Sequence, residues 1–122
     1  MKPHLHARNS ARTWGGKPED YQAIHDWFDH SKAHVPDMRH RAILHSSFGI
    51  YLAEQVFGTL ITNADGKQVS VRDIGEKHVL EDLGFIPTMQ DYLQHMTVAP
   101  WMSGTKRGAN TKAQRKTIPL VD

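Results

Sequence analysis

Cysteine is absent from this sequence. Disulfide bonds, zinc ribbons and catalysis by a thiol are therefore excluded. Any bound metal ion would need histidine, aspartate and glutamate as its ligands. Histidine is plentiful, because nine of the 122 residues are His. A metal site built from imidazole and carboxylate groups therefore has to be considered.

Long apolar runs are also absent, and nothing approaches the roughly 18 consecutive apolar residues of a membrane-spanning helix. The segment MKPHLHARNSARTWGG carries basic residues without an apolar core, so it is not a secretory signal. It has arginine and no acid, as organellar transit peptides do, but we interpret residues 1–17 as a short irregular or partner-binding arm. We expect a cytoplasmic protein without a membrane partner.

The net charge of +2 conceals an asymmetry. Residues 1–100 carry ten Lys/Arg and twelve Asp/Glu, a sum of −2, whereas residues 101–122 sum to +4. The C-terminal segment is therefore predicted to be a basic tail that contacts nucleic acid, a ribonucleoprotein or an acidic protein surface. Its basic residues are Lys106, Arg107, Lys112, Arg115 and Lys116.

Apolar spacing and helix-end signals predict two helices in the first half of the chain. Pro18 and the two acids that follow it open a helix that runs to about Ala33. A central helix is predicted from Asp37, a capping residue, to Gly58, a stop signal. Gly49 in its middle would cost about 1 kcal/mol relative to alanine, which indicates close packing there or a ligand.

A β-hairpin is predicted over about residues 59–71, because two short β-branched runs flank the turn sequence Asn63–Gly66. Such a two-stranded hairpin is marginal alone, so it has to pack on the helices or pair with another chain. A third helix follows over about residues 74–83, with Asp73 as its predicted cap.

Thr88 and Asp91 resemble a capping box that opens a fourth helix through about Met96. The expected fold is mainly α (α+β): a compact bundle of three to four helices with one small hairpin and an irregular basic C-terminal tail. Residues 18–100 would form the single helical domain, and residues 101–122 would form the tail.

Several ionisable residues recur four apart, the spacing that places two side chains on one helix face. These pairs are His25 with Asp29, His30 with His34, and His78 with Asp82. On facing helices such pairs can surround one or two metal ions, and zinc, manganese, iron or nickel would suit them. The alternative reading is that they are weak surface pairs and that His45 is a hydrogen-bonded core histidine.

The hypothesis of a metal site assigns a role to each candidate. The metal ligands would be His45, His78, Asp82, His25 and Asp29. The catalytic candidates are Glu54 and His40, and a phosphate group would be held by Arg39, Arg41 and Lys32. Alternatively, the arginines pair with nearby aspartates and Lys32 stays solvated. No organic cofactor is indicated.

Two stretches, DHSKAHVPDMRHRAILHSSFGIYLAEQVFG and VRDIGEKHVLEDLGFIPTMQDYL, resemble a family of short uncharacterised proteins from bacteria and their phages. The resemblance covers about residues 25–96 and implies no activity.

His45, followed later by His78 and the acidic pair Glu81-Asp82, is similar to the pattern of the HD-type metal phosphohydrolases. These are helical domains whose His and Asp ligands bind a divalent metal and which cleave phosphate esters. The adjacent His-Asp pair of that family follows its first ligand histidine, whereas His25-Asp26 here precedes it.

Three functions are therefore expected as alternatives. The first is a small metal-dependent hydrolase of a phosphate-containing substrate. The second is a helical adaptor that binds nucleic acid or a protein partner through its basic tail. The third is a homo-oligomer in which the histidines are hydrogen-bonded core residues.

Overall fold

The computed structural model describes residues 1–104, and within them it is mainly helical with one small antiparallel sheet, as predicted. Three 3-10 turns, His30–Ala33, Met38–His40 and Pro100–Ser103, connect or extend the main elements. None of the helices among residues 1–104 is long and apolar enough to cross a membrane. The elements in chain order are α1 (Pro3–Trp14), α2 (Glu19–Phe28), α3 (Arg41–Leu44), α4 (Ser47–Phe57), β1 (Leu60–Thr62), β2 (Gln68–Ser70), α5 (Val71–Leu83) and α6 (Met89–Leu93).

The prediction of an irregular N-terminal arm over residues 1–17 is wrong, because α1 occupies most of it. Pro3 lies in the first turn, where its fixed φ suits a helix and its missing N–H is not needed. The face that carries His6, Ala7 and Ser10 is buried, and α1 packs on α2 and α5. Because the fully buried residues of this face are small or polar, the only apolar stripe that indicates a helix is the weak one formed by Ala7, Ala11 and Trp14.

The predicted continuous helix from Asp37 to Gly58 is broken at His45 and Ser46. The Ser46 hydroxyl caps α4 by accepting from the backbone N–H of Gly49 at 3.1 Å. A Cβ at Gly49 would lie 1.7 Å from the Leu44 carbonyl oxygen. Glycine at this position therefore allows α3 to approach the first turn of α4, and the break places His45 at the bend.

The hairpin is confirmed, with Ile61 paired to Val69 at its centre. It leads directly into α5, whose N-cap is Ser70; the predicted cap, Asp73, instead donates its backbone N–H to the Ser70 hydroxyl at 3.2 Å. The capping box of Thr88 with Asp91 is also confirmed, although α6 ends earlier than predicted, at Leu93.

The core lies between α1, α2, α4 and α5 and contains apolar side chains from each, together with the hairpin. Its larger members are Tyr21, Ile24, Phe28, Ile50, Val69, Val71, Ile74 and Val79. Four histidines, His6, His25, His45 and His78, are fully buried beside them. Polar groups buried this deeply cost stability unless they are paired, so the core contains a polar centre that has to be explained.

Candidate metal centre

The polar centre is assembled from three parts of the chain. α2 contributes His25, and Asp29 follows directly at its C-terminal end. The break between α3 and α4 contributes His45, and α5 contributes His78 and Asp82 one turn apart. The helical spacing of the pairs His25/Asp29 and His78/Asp82 directs all four side chains towards the interior.

Four of these side chains direct one donor atom each towards a common point. His45 Nε2 lies 3.2 Å from His78 Nε2 and 2.9 Å from Asp82 Oδ2. It also lies 3.5 Å from Asp29 Oδ1. His78 Nε2 is 3.4 Å from Asp82 Oδ2 and 3.8 Å from Asp29 Oδ1. All four donors lie within 4.8 Å of one another.

These separations are close to those of a metal coordination sphere. Donors bound about 2.0–2.1 Å from a tetrahedral ion lie about 3.3 Å from one another. The five measured separations between imidazole nitrogens and their neighbours run from 2.9 to 3.8 Å and bracket this value. The residues Asp29, His45, His78 and Asp82 therefore form a group that could hold a metal ion.

The electrostatics keep most of these donors in the deprotonated form that a metal requires. Burial opposes ionisation of Asp82, but hydrogen bonds from His45 and its other imidazole neighbours hold its pKa well below the usual range. The facing His78 likewise lowers the pKa of Asp29 against the effect of burial. Burial lowers the pKa of His45. Only at His78 do the two carboxylates outweigh burial and raise the pKa.

His25, a predicted ligand, lies behind His78 and is not one of the four donors. Its Nδ1 lies 2.9 Å from His78 Nδ1, and its Nε2 lies 2.8 Å from the Ser10 hydroxyl. Both ring nitrogens are therefore engaged within the protein. Burial, together with the neighbouring His78, lowers the pKa of His25 to about 2.

A second group of nitrogens, from His6, His25 and His78, also lies within 4.8 Å. The three rings are nearly parallel, with interplanar angles of 16–27°. His6 lies face to face with His78, with ring centroids 3.8 Å apart. An imidazole nitrogen binds a metal with a lone pair in the plane of its ring, so these two rings do not converge on one ion. His6 instead bonds to carboxylates, at 2.6 Å to Glu81 Oε1 and 3.1 Å to Asp82 Oδ1.

A groove with a volume of about 420 Å³ lies beside the four-donor group, and none of the four donors lines it. Its lining includes the basic side chains of Lys2, Lys32, His40 and Arg41, with one acid, Asp37. Three of these basic groups lie within 3.9 Å of the carboxylates of Asp29 or Asp82. Lys32 Nζ lies 3.9 Å from Asp29 Oδ2, His40 Nε2 lies 3.6 Å from Asp29 Oδ1, and an Arg41 guanidinium nitrogen lies 3.8 Å from Asp82 Oδ1.

Several buried polar atoms in and around the four-donor group have no hydrogen-bond partner. Among residues 1–104, the buried side-chain atoms without a hydrogen-bond partner are Asp29 Oδ2, His40 Nε2, Arg41 Nε and His45 Nδ1. His40 Nδ1 is engaged, because it lies 2.8 Å from the Asp37 carbonyl oxygen and donates to it. In the neutral form of this ring Nε2 would carry the lone pair, and it lies 3.6 Å from Asp29 Oδ1. An ion, a water or a ligand could satisfy buried polar atoms of this kind.

Other predicted residues lie elsewhere. Glu54 lines a separate groove with Arg72 and Glu76, between α4 and α5. Arg39 is exposed and pairs with Asp37 at 2.7 Å, the alternative reading given above. His30 and His34 are exposed. The tail residues Lys106, Arg107, Lys112, Arg115 and Lys116 lie outside the described residues.

Sequence reasoning did not find His6 and Ser10, because it treated α1 as irregular. Two signals could have located them. Pro3 is a good first-turn residue, and Ala7, Ala11 and Trp14 recur at helical spacing. Ser10 falls on the same face as these residues, and His6 lies one position before Ala7. Neither signal indicates what the two side chains contact.

Comparison with known proteins gives a family and no activity. No curated protein matches the chain. No solved structure matches it either. A family model described as "Domain of unknown function (DUF6915)" matches residues 1–102, which include every element of the candidate metal centre. The chain therefore belongs to the DUF6915 family.

Proposed function

We propose that this protein binds a divalent metal ion through Asp29, His45, His78 and Asp82. The observation that carries the proposal is the convergence of two imidazole nitrogens and two carboxylate oxygens at coordination distances. Zinc, manganese, iron and nickel all accept such a donor set. Four protein donors would complete a tetrahedral zinc ion, so hydrolysis needs an ion that accepts a fifth or sixth ligand beside the four protein donors.

We further propose that the metal serves hydrolysis of a phosphate-containing substrate bound in the basic groove. Lys32 and Arg41 would hold the phosphate, since a divalent cation beside Asp29 and Asp82 would release both basic groups from those carboxylates. A metal polarises a phosphoryl oxygen and lowers the pKa of a bound water.

His40 is the proton acceptor in this proposal. Its Nε2 takes the proton of the attacking water, whose oxygen forms the new bond to phosphorus. The ester P–O bond breaks, its electron pair leaves on the alcohol oxygen, and the His40 imidazolium returns the proton to that oxygen. The bond from Nδ1 to the Asp37 carbonyl oxygen would place the lone pair of the neutral ring on Nε2, which has no hydrogen-bond partner, and this supports the role.

The first test measures metal content in purified protein by elemental mass spectrometry. Wild type should carry about one metal ion per chain after reconstitution, and His45→Ala and Asp29→Asn should carry none. Glu54→Gln is the matched control, because that carboxylate lies in a different groove. Wild-type protein without metal after reconstitution would overturn the metal site.

The second test measures hydrolysis of p-nitrophenyl phosphate and bis(p-nitrophenyl) phosphate by the metal-loaded protein. Activity should disappear on chelation and in His40→Ala, while His40→Ala keeps its metal. Metal-loaded protein that is inactive on both esters would refute the hydrolase and leave the metal site standing.

A further inference from the structure

His78 uses both of its ring nitrogens. Nε2 lies among the four donors, whereas Nδ1 on the opposite side lies 2.9 Å from His25 Nδ1. The two rings are close to coplanar, with centroids 5.1 Å apart and an interplanar angle of 19°. This arrangement fits a linear N–H···N hydrogen bond, which contains a single proton.

When a metal is bound to His78, only one arrangement of the protons on His78 and His25 is possible. A ligand nitrogen needs its lone pair, so His78 must carry its proton on Nδ1 and donate it to His25 Nδ1. His25 then has its own proton on Nε2 and donates it to the Ser10 hydroxyl oxygen, 2.8 Å away. Ser10 accepts in this arrangement and can equally donate, so it tolerates the reverse order as well.

We propose that His25 is a positioning residue that fixes the ring orientation and the tautomer of the metal ligand His78, with Ser10 as its anchor. The proposal rests on the metal site proposed above. Metal-bound histidines almost always donate their second ring nitrogen to a carboxylate, a carbonyl or a water. Here a neutral imidazole takes that place, and helix α1, through Ser10, is therefore part of the site.

The positioning is rigid because all three side chains are fully buried. The ring of His6 also stacks on the ring of His78, and the two ring centroids lie 3.8 Å apart. Removing the acceptor at His25 would leave the Nδ1–H of His78 buried without a partner whenever metal is bound. The loss should therefore weaken metal binding specifically.

The test compares zinc affinity, by competition with a chromophoric chelator, in wild type, His25→Leu and His25→Asn. Loss of such a partner typically weakens metal affinity about 10–100-fold, which is the result expected for His25→Leu. His25→Asn should bind more tightly than His25→Leu, because an amide oxygen at this position can replace Nδ1 as acceptor. His34→Leu, at an exposed histidine, is the control and should match wild type.

A spectroscopic readout on wild-type protein keeps the inference testable even if His25→Leu does not fold. Two-bond nitrogen–proton correlation spectra distinguish the two histidine tautomers. Zinc-loaded protein should show His78 protonated on Nδ1 and His25 protonated on Nε2.

The outcomes separate this inference from the proposed function. Wild-type protein that binds no zinc removes both. Zinc binding with His25 protonated on Nδ1, or equal zinc affinity in wild type and His25→Leu, refutes the positioning role alone. Weakened binding in His25→Leu, partial recovery in His25→Asn and the expected tautomers together support it.

Discussion

Replacing Asp82 by asparagine tests the electrostatic logic of the buried centre. The substitution keeps the shape of a side chain that is 1% exposed and removes its charge. Oδ2 faces His45 at 2.9 Å and His78 at 3.4 Å, whereas Oδ1 faces His6 at 3.1 Å. One change therefore weakens three contacts between a carboxylate and an imidazole.

The expected cost follows from the burial of these contacts. Breaking a buried ion pair costs about 3–5 kcal/mol, and asparagine retains shape and some hydrogen bonding, so the lower end applies. We expect Asp82→Asn to lower the free energy of unfolding of the metal-free protein by about 3 kcal/mol. A domain of this size would then melt roughly 10 °C lower.

The assay is thermal unfolding with and without zinc. Wild type should be stabilised by about 2.7 kcal/mol at a zinc concentration about one hundred times its dissociation constant, whereas Asp82→Asn should gain nothing. Asp73→Asn is the matched control, because it makes the same change at an exposed position of the same helix. It should behave as wild type in both conditions.

Two results would refute the reasoning. A metal-free Asp82→Asn protein as stable as wild type would mean that the imidazole contacts contribute nothing to stability. An unchanged stabilisation of this variant by zinc would mean that Asp82 is not a ligand.

Three further changes test other parts of the structure. Gly49→Ala should lower the free energy of unfolding by about 2 kcal/mol in urea titrations, because a clash with the Leu44 carbonyl that costs about 3 kcal/mol outweighs a gain of about 1 kcal/mol in helix propensity. Since the pKa of His25 falls to about 2 in the fold, the metal-free protein should lose stability as pH falls below about 6.5, the ordinary value. His25→Asn should reduce that slope by up to about 1.4 kcal/mol per pH unit between pH 6 and 4. Arg41→Gln should raise KM for a hydrolysed phosphate ester more than it lowers kcat, and an unchanged KM would exclude Arg41 from substrate binding.

Local signals predicted those parts of the fold that depend on a few consecutive residues. The hairpin turn at Asn63–Gly66 and the capping box of Thr88 with Asp91 are examples. The break at His45 and Ser46 depends on more than such a signal, because Ser46 caps α4 locally but distant groups also stabilise the bend. The Tyr92 hydroxyl donates to the His45 carbonyl at 2.7 Å, and the Ser47 N–H donates to the Pro87 carbonyl at 2.8 Å.

Helix α1 was not predicted from the sequence for a related reason, because tertiary contacts stabilise it. Its fully buried residues are His6, Ala7 and Ser10, which leave only a weak apolar stripe. Such a face is stabilised by what it meets, which here is the Ser10 contact with His25 and the His6 contacts with Glu81 and Asp82. The sequence of residues 1–17 alone does not indicate which residues these side chains contact.

The sequence by itself determined the available chemistry: without cysteine, a metal site has only imidazole and carboxylate donors, and i, i+4 spacing places His78 and Asp82 on one face of α5. Tertiary structure alone decided which candidates converge. Asp29 and His45 come from different elements and meet α5 in the core, whereas Glu54 lies in a separate groove. Helical periodicity fixes the direction of a side chain only relative to its own helix. The packing of α1, α2 and α4 around α5, and the bend at His45, set how those directions combine into a site.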